Sequence, residues 1–381
     1  MALPRFILVG GFLGAGKTSL LASAATRLAA RGQRVGLITN DQAMNLVDTA
    51  TLEAAGFRVG EVSGGCFCCK FDTLLQALQQ LGEAVAPDYF LCEPVGSCTD
   101  LVATVAAPLR TYFADRYAVA PATALVDPAR LARLTGPLGE RPFPESVFYI
   151  FRKQLEEADC LLLSQADRHD PVLLRNLTHK LRAEFPDRHV QTISTVTGEG
   201  IDRWLNQVTD PAATPGLRMP EVDYEVYAEG EGMLGWLNAT VGLKAKSDSD
   251  GLAHGRAFFA RLIACLLAEG AEIAHAKAYL ATRAQCLRLN RIDRRADFTQ
   301  QRDHGRARMS PGEALLEINV RALTSPQVLR THLQAQLQSS QAGAGVRFEL
   351  KAMAAFRPAA PQPTHRFASR ERAQSADLSQ P

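Results

Sequence analysis

Short apolar runs alternate with segments of helical periodicity along residues 4–207. Each run is bounded by polar or turn-forming residues, which is typical of a buried strand. The helical segments between the runs begin with one from Lys17 to about Ala30. This alternation predicts an α/β fold in which a mostly parallel, doubly wound sheet carries helices on both faces. The expected strands are RFILVG, RVGLITN, DYFLCEP, TALVDP, DCLLLSQ and VQTIS.

The pattern changes beyond residues 209–221, a stretch rich in Pro, Ala and Thr that is the best candidate for a linker. We expect a first domain over residues 1–208 and a smaller α+β domain over residues 222–354. Residues 355–381 have little to bury, which predicts a disordered tail. In the second domain we expect a long strand or hairpin in YEVYAEGEGMLGWLNATVGL, an apolar helix broken near Gly270 in GRAFFARLIACLLAEGAEIAHAKAYL, a strand in ALLEINVRAL and a helix in SPQVLRTHLQAQLQSS.

Charge and length argue against several classes of protein. The chain of 381 residues has 42 Lys and Arg against 40 Asp and Glu, a formal charge of +2. It therefore lacks the electrostatic footprint of a protein that binds nucleic acid or a membrane surface. We expect no membrane-spanning helix, because no apolar run approaches the roughly 20 residues required, and the apolar start MALPRFILVGG is too short for a secretory signal. The expected location is the cytoplasm, where cysteines stay reduced.

The octapeptide GFLGAGKT, residues 11–18, matches the phosphate-loop pattern G-x-x-x-x-G-K-[ST] between an expected strand and an expected helix. Its glycines let backbone N–H groups converge on phosphate oxygens at a helix N-terminus. Lys17 can reach the β- and γ-phosphates, and the Thr18 hydroxyl can bind Mg²⁺. A Gly-rich turn with a chance lysine is the alternative, which this context disfavours. We expect nucleotide binding by Gly11, Gly14, Ala15, Gly16, Lys17, Thr18 and Ser19.

The segment SGGCFCCK contains three cysteines, Cys66, Cys68 and Cys69, within four positions. A loop of this kind could direct two or three thiolates at one Zn²⁺ or Co²⁺ ion and leave a further ligand position open. Two alternatives remain: a redox pair of Cys66 and Cys69 in C-x-x-C spacing, and free cysteines that are simply buried. The other five cysteines are isolated in the sequence, and for them we expect ordinary packing: Cys92, Cys98, Cys160, Cys265 and Cys286.

Four segments of the first half resemble the CobW-like metallochaperone GTPases, relatives of the HypB and UreG nickel-insertion GTPases: GGFLGAGKTSL, GEVSGGCFCCKFDTLLQAL, FLCEPVG and ISTVTGEGIDRWL. A weaker similarity in EIAHAKAYLATRAQCLRL extends the resemblance over roughly residues 4–350. The resemblance implies a P-loop NTPase fold that binds GTP with Mg²⁺. Its implied site residues are Lys17, Asp41 and Glu93 for catalysis, Gly96 near the γ-phosphate, Asp167 and Ser194 on the guanine side, and Cys66, Cys68 and Cys69 for Zn²⁺ or Co²⁺.

Three departures from the family pattern affect these expectations. The guanine-reading N-K-x-D stands here as residues 164–167, SQAD, so only Asp167 is kept. We expect GTP to bind with reduced affinity, and ATP remains an alternative. In the loop after the second strand, Asp41 replaces a Glu; it could hold a water on Mg²⁺, orient the attacking water, complete the metal site, or only cap the next segment. Pro94 adds stiffness after Glu93, and Asp100 and Asp127 are expected to be helix caps.

The sequence therefore predicts a metal-binding GTPase whose slow hydrolysis drives delivery of a transition metal to a client protein. A client or a partner copy in a homodimer would supply the missing stimulus, because the sequence identifies no arginine finger. Two further classes stay open. One is a nucleotide-regulated protein, with ATP or GTP, whose cysteines are a thiol redox sensor without metal. The other is a small-molecule kinase, for which the sequence suggests no acceptor site.

Overall fold

The computed structural model describes residues 3–41, 52–53, 56–134, 142–292, 299–304, 309–341 and 345–368. The chain divides into two compact units. Unit 1 consists of Met1–Gln42, Phe57–Gly230 and Ala360–Pro381, and unit 2 consists of Ala43–Gly56 and Glu231–Ala359. The domain bounds expected from the sequence, including the linker at 209–221, stay predictions.

Unit 1 is built on an eight-stranded sheet whose main path runs β3-β2-β4-β1-β6-β7-β8, with β5 paired to β1. The described strand pairs of this sheet are all parallel. The predicted α/β fold with a mostly parallel sheet is thereby confirmed. The strands are β1 Arg5–Gly11, β2 Val35–Asp41, β3 Val59–Ser63, β4 Tyr89–Glu93, β5 Ala118–Val119, β6 Thr123–Val126, β7 Cys160–Leu163 and β8 His189–Thr192.

Amphipathic helices connect these strands and bury one side each. The first one begins at Lys17 and ends at Ala30, as predicted, and it buries Leu20, Leu21, Ala24 and Leu28 at helical spacing. A π-helical turn, Val102–Ala106, leads into the third helix. The helices of this part are α1 Lys17–Ala30, α2 Phe71–Val85, α3 Ala107–Tyr112, α4 Pro128–Leu134, α5 Glu145–Glu157, α6 Pro171–Glu184, α7 Ile201–Thr209 and α8 Tyr224–Gly232.

The segment YEVYAEGEG forms helix α8, so the expectation of a long strand or hairpin from its start was wrong. Its apolar and polar residues alternate as in a strand, but Tyr224 and Tyr227 also have the three-residue spacing that places them on one helix face. Both phenols contact the segment after β4. The Tyr227 hydroxyl accepts from the Thr99 backbone N–H at 3.2 Å, and the Tyr224 hydroxyl donates to the Asp100 carboxylate at 2.7 Å. The hydrogen bonds to these two partners favour the helical conformation of the segment.

Unit 2 is an antiparallel sheet of order β12-β11-β10-β13-β9-β14 with two helices packed on it, which confirms the smaller α+β part. Strand β10 corrects the sequence analysis, which placed its residues in the second part of an apolar helix broken near Gly270. The helix ends at Ala268, Gly270 has a left-handed φ of 82°, and a strand follows. The elements are β9 Gly235–Lys244, α9 Asp248–Ala268, β10 Glu272–Thr282, β11 Gln285–Arg291, β12 Thr299–His304, β13 Glu313–Leu323, α10 Pro326–Gln341 and β14 Arg347–Phe356.

Among the described residues, α9 is the one helix that is long and apolar enough to cross a membrane by length and composition alone. Its side chains Phe258, Phe259 and Leu262 are fully buried in the core of unit 2. The buried face of α9 therefore packs against the antiparallel sheet.

The first part of the expected disordered tail differs from the prediction. Residues up to Phe356 belong to β14, and residues 360–368 belong to unit 1. The backbone N–H of Thr364 donates to the Cys68 carbonyl at 2.9 Å, and that of Phe367 donates to the Ala103 carbonyl at 3.0 Å. The His365 ring meets the Phe71 ring edge-on at 5.0 Å. The amino-acid composition did not predict this ordered segment, because backbone groups and two rings make most of its contacts.

Candidate nucleotide and metal site

The phosphate loop joins β1 to α1, and three of its glycines have positive φ angles. Gly11 has a φ of 125°, and a Cβ there would lie 2.4 Å from the Leu125 carbonyl oxygen, so no other residue fits without backbone movement. Gly14 and Gly16 have φ angles of 82° and 96°. Together they curve the backbone ahead of the N-terminus of α1, where N–H groups and the helix dipole favour an anion.

Lys17 and Thr18 lie next to the end of β4. The buried Lys17 ammonium donates to the Gly11 carbonyl at 2.8 Å, and the Thr18 hydroxyl donates to the Glu93 carboxylate at 3.1 Å. A Cβ on Gly96 would lie 2.8 Å from the Lys17 Nζ, so the chain after β4 passes directly over the lysine. A hydroxyl and a carboxylate are oxygen donors of the kind that Mg²⁺ prefers, so Thr18 and Glu93 fit this ion.

Ala15 and Ser19 complete the expected loop residues. The Ala15 backbone N–H donates to the Phe12 carbonyl at 3.1 Å, which tightens the turn. Ser19 is exposed in the first turn of α1. The structure thus brings the expected phosphate-side residues together around one loop, while their contact with a nucleotide stays a prediction.

The expected base-side residues also lie together. The buried Ser194 hydroxyl donates to the Asp167 carboxylate at 2.5 Å and accepts from the backbone N–H of Thr197 at 3.1 Å. Gln165, in a left-handed conformation with a φ of 53°, places its amide 3.5 Å from the Gly14 carbonyl. Ser194 therefore orients the one carboxylate that the guanine-reading motif keeps, and Gln165 connects this motif to the phosphate loop.

Arg130 is a phosphate-loop contact that sequence reasoning missed. Its buried guanidinium donates to the Leu13 carbonyl at 2.5 Å and lies 5.0 Å from the centre of the Phe12 ring. The Asp127 carboxylate accepts from the Arg130 backbone N–H at 2.7 Å, which confirms the expected cap at the start of α4. A fixed positive charge thus lies against the phosphate loop.

The side chain of Asp41 lies outside the described part of the structure, so its expected roles stay predictions. Residues 42–51 after it lie outside that part as well. The backbone of Asp41 is the last residue of β2. Its neighbour Asn40 is described and buried, and it holds the cysteine loop. The Asn40 amide donates to the carbonyls of Val62 and Gly65 at 2.8 and 2.7 Å, and its oxygen accepts from the Phe67 N–H at 2.9 Å.

The three clustered cysteines bring their sulfurs together. The Cys66 Sγ lies 2.7 Å from the Cys68 Sγ and 3.1 Å from the Cys69 Sγ, and the last two are 3.7 Å apart. Cys66 and Cys68 are buried, while Cys69 is partly exposed. Within the described parts of the chain, this is the one group of His, Cys, Asp and Glu ligand atoms close enough to hold a metal. The grouping expected from the sequence is therefore present, and bound metal stays a prediction.

Cys98 corrects the sequence analysis, which treated it as isolated. It is buried after β4, and its side chain is hydrogen-bonded to those of Cys66 and Cys68. Hydrogen bonds with the side chains of Cys68, Cys69 and Cys98 hold the pKa of Cys66 well below its usual value. The contact with Cys66 raises the pKa of Cys69 to about 11. The only sequence signal for this contact was that Cys98 and the cysteine cluster each follow an expected strand. The carboxyl ends of parallel strands meet at one edge of the sheet.

The segment after Cys98 is fixed by buried polar partners. The Glu157 carboxylate accepts from the Thr99 hydroxyl at 3.1 Å and from the Val102 N–H at 2.9 Å, and burial raises the pKa of Glu157 to about 8. The Asp100 carboxylate, expected to cap a helix, instead accepts from Tyr224 and from the Arg366 Nε, each at 2.7 Å. Side chains from α5, α8 and the C-terminal segment thus converge on residues 99–102.

Comparison with known proteins agrees with this site. Residues 5–190 match the family model described as the CobW/HypB/UreG nucleotide-binding domain. The zinc chaperone CobW of Pseudomonas aeruginosa is 27% identical over 212 residues, which are 47% of this chain and 53% of that protein. The zinc chaperone YeiR of Escherichia coli is 28% identical over 172 residues, 44% of this chain and 48% of that protein. The chain thus spans about half the length of the curated relatives it matches.

Solved structures give a weaker likeness. Zn(II)-bound YjiA GTPase from Escherichia coli is 16% identical, with a TM-score of 0.37, over 88% of this chain and 99% of that one. HypB from Archaeoglobus fulgidus is 15% identical, with a TM-score of 0.39, over 53% of this chain and 87% of that one. These scores are too low to support an argument. The domain match and the phosphate loop identify residues 5–190 as a nucleotide-binding domain of the CobW/HypB/UreG type.

Proposed function

We propose that the protein is a metallochaperone that binds a transition metal through its cysteine cluster and couples Mg²⁺-dependent GTP hydrolysis to delivery of that metal. The observation that carries this proposal is the course of the chain after β4. Glu93 contacts Thr18, Gly96 passes over Lys17, and Cys98 contacts the cysteine cluster, all within six residues. One short segment therefore connects the phosphate loop to the sulfurs.

The nucleotide side would work through charge and hydrogen bonding. Lys17, now donating to the Gly11 carbonyl, would transfer its hydrogen bonds to the β- and γ-phosphates. Thr18 and Glu93 would hold Mg²⁺, which supplies neutralisation of the phosphate charge when it is bound. Glu93, Asp41 or both would orient the attacking water. Hydrolysis by the chain alone is expected to be slow, and a client or a second copy of the chain would accelerate it.

Zinc is the first choice for the metal, with cobalt as the alternative. Sulfur ligands suit both ions, and both curated relatives are named zinc chaperones. All eight cysteines are free, which supports a reducing compartment, the cytoplasm, as its location. If GTP and GDP give the site different metal affinities, thermodynamic linkage requires the metal to change the relative affinity for the two nucleotides by the same factor.

A titration of the reduced protein with Co²⁺ tests this proposal, once with a non-hydrolysable GTP analogue and Mg²⁺ and once with GDP. We expect sulfur-to-cobalt charge-transfer bands that are stronger or form at lower Co²⁺ concentration in the GTP state. Bands that do not depend on the nucleotide would leave a metal site without a switch. The absence of bands in both states would refute metal binding by the cysteines.

The identity of the base is tested separately by competition of GTP and ATP for the same site. Asp167 can accept from the N–H groups of guanine, which adenine does not present in that pattern, so GTP is expected to displace a bound nucleotide at lower concentration. Equal displacement by ATP would remove the guanine part of the proposal. It would leave the metal part untouched.

A thiol redox sensor is the second candidate, and the cysteine geometry supplies its support. The sulfurs of Cys66 and Cys69 lie 3.1 Å apart, and hydrogen bonds lower the pKa of Cys66, which favours the thiolate that attacks in thiol–disulfide exchange. Oxidation with glutathione disulfide, followed by mass spectrometry, would reveal a reversible disulfide. A redox role without metal further requires that Cys69→Ser leave the zinc content unchanged.

A further inference from the structure

Cys98 extends the cysteine cluster from a different part of the chain. We propose that Cys98 is a fourth thiolate ligand of the metal and that the nucleotide state controls its distance from the other three sulfurs. This inference rests on the proposed metal-binding function and adds to it a ligand that lies outside the C-x-C-C motif. It makes the site a four-sulfur site drawn from two loops.

The contacts of Cys98 support a ligand role. It is 1% exposed, and its side chain is hydrogen-bonded to those of Cys66 and Cys68. Four sulfurs around Zn²⁺ at about 2.3 Å lie about 3.8 Å from one another in a tetrahedron. The shortest present separations, 2.7 and 3.1 Å, are smaller, so the sulfurs need to spread by only about 1 Å to admit an ion.

Cys98 does not yet stand at ligand distance from every other sulfur. The group in which all ligand atoms lie within 4.8 Å of one another contains Cys66, Cys68 and Cys69 only, as far as the described residues show. Because Cys98 contacts the first two, its longer separation is from Cys69. A shift of either residue toward the other would close the tetrahedron, and such a shift is what a nucleotide could control.

The backbone of Cys98 is held firmly, as a preorganised ligand requires. The Gln154 side-chain amide, on α5, donates to the carbonyls of Cys98 at 2.7 Å and Gly96 at 3.1 Å. The Cys98 N–H donates to the Val95 carbonyl at 3.0 Å. One side chain thus holds both the residue over Lys17 and the sulfur ligand. A movement of Gly96 with the phosphate state therefore moves Cys98 as well.

This coupling has a direct consequence for metal release. With GTP bound, the segment 93–98 would keep Cys98 in the ligand shell and give four thiolates. With GDP bound, withdrawal of Cys98 would leave Cys66, Cys68 and the partly exposed Cys69, together with an open position. An open position is where a thiolate of a client could attack the metal. The ligand count would then be the property that hydrolysis changes.

Cys98→Ala in the full-length reduced protein tests this proposal, with Cys92→Ala as the matched control. Cys92 is also fully buried, six residues earlier on β4, so its variant reports the cost of shortening a buried cysteine in the same region. In the presence of the GTP analogue, we expect the charge-transfer band per bound Co²⁺ to fall to about three quarters in Cys98→Ala, because four thiolates become three. Zinc affinity, measured against a chelator, should fall at least about tenfold. The control should change neither.

X-ray absorption at the zinc edge provides a direct count of the sulfurs. We expect four sulfurs in the wild-type protein with the GTP analogue, and three with GDP or in Cys98→Ser, which replaces only the sulfur atom by oxygen. The proposal would be overturned if the Cys98 variants had the same cobalt charge-transfer band, zinc affinity and sulfur count as the wild-type protein. That result would leave the proposed metallochaperone function standing. An equal loss in Cys92→Ala would also overturn it, by showing a packing effect. A wild-type protein without any cobalt band would instead refute the proposed function itself.

Discussion

Asn40→Ala is expected to damage the proposed metal site, because Asn40 holds the cysteine loop without being a ligand. The variant removes three hydrogen bonds of 2.7 to 2.9 Å to the carbonyls of Val62 and Gly65 and the N–H of Phe67. At about 0.5–1.5 kcal/mol each, their loss lowers the free energy of unfolding by about 1.5–4.5 kcal/mol. We expect the upper half of this range, since Asn40 is buried and its partners lose their hydrogen bonds.

Two measurements separate the global effect from the local one. Urea titration gives the free energy of unfolding, and chelator competition gives the zinc affinity of the folded protein. We expect both to fall in Asn40→Ala. Asn40→Asp should be no better, since it keeps the acceptor for Phe67 but directs a carboxylate oxygen at two carbonyls.

Asn238→Ala is the matched control in unit 2. The Asn238 side chain is also buried, and its oxygen accepts from the side chains of Asn319 and Arg321 at 3.0 and 2.7 Å. This variant should lower stability but leave zinc affinity unchanged. The reasoning is refuted if Asn40→Ala binds zinc as tightly as the wild type, or if Asn238→Ala weakens zinc binding equally.

Three further expectations concern the surroundings of the site. Burial raises the pKa of Glu157 from 4.5 to about 8, so the folded chain binds this proton more tightly than the unfolded chain does. The free energy of unfolding should therefore fall as pH rises from about 4.5 to 8. The expected slope is up to about 1.4 kcal/mol per pH unit. Glu157→Gln should remove that slope in urea titrations at several pH values; unchanged slopes would contradict it. Arg130→Ala removes a charge-assisted hydrogen bond to the phosphate loop and should weaken GTP binding about tenfold by calorimetry, while Arg130→Lys, which keeps the charge, should lose less. Deleting residues 360–381 removes the Gln362 N–H that donates to the Cys69 sulfur at 3.1 Å, so thiol reagents should modify Cys69 faster; an unchanged rate would show that this contact does not protect it.

Local signals made the first βα unit predictable. The apolar run of β1, the glycines of the loop and the periodicity of α1 all lie within residues 5–30, so the bounds from Lys17 to Ala30 agreed with the structure. The cysteine cluster was equally local, because its three members lie within four positions. In these places the sequence neighbours are also the spatial neighbours.

Long-range neighbours account for what the sequence did not reveal. Cys98 lies about thirty positions from Cys68, and only the strand order places the two thiols in contact. Helix α8 was misread because its two tyrosines fit either period until their partners, Thr99 and Asp100, are known. Strand β10 was misread because a continuous apolar run has no period that separates strand from helix.

The contact between Gln362 and Cys69 joins positions 293 residues apart, which bears on how the chain is synthesised. The ribosome adds the three clustered cysteines first and reaches Gln362 only 293 residues after Cys69. At about 5–20 residues per second, this interval is roughly 15 to 60 s. For that period a nascent chain presents its sulfurs without residues 360–368 beside them. For the proposed metal site, this interval would allow a first ion to bind during translation, before the segment that later lies beside Cys69 has been made.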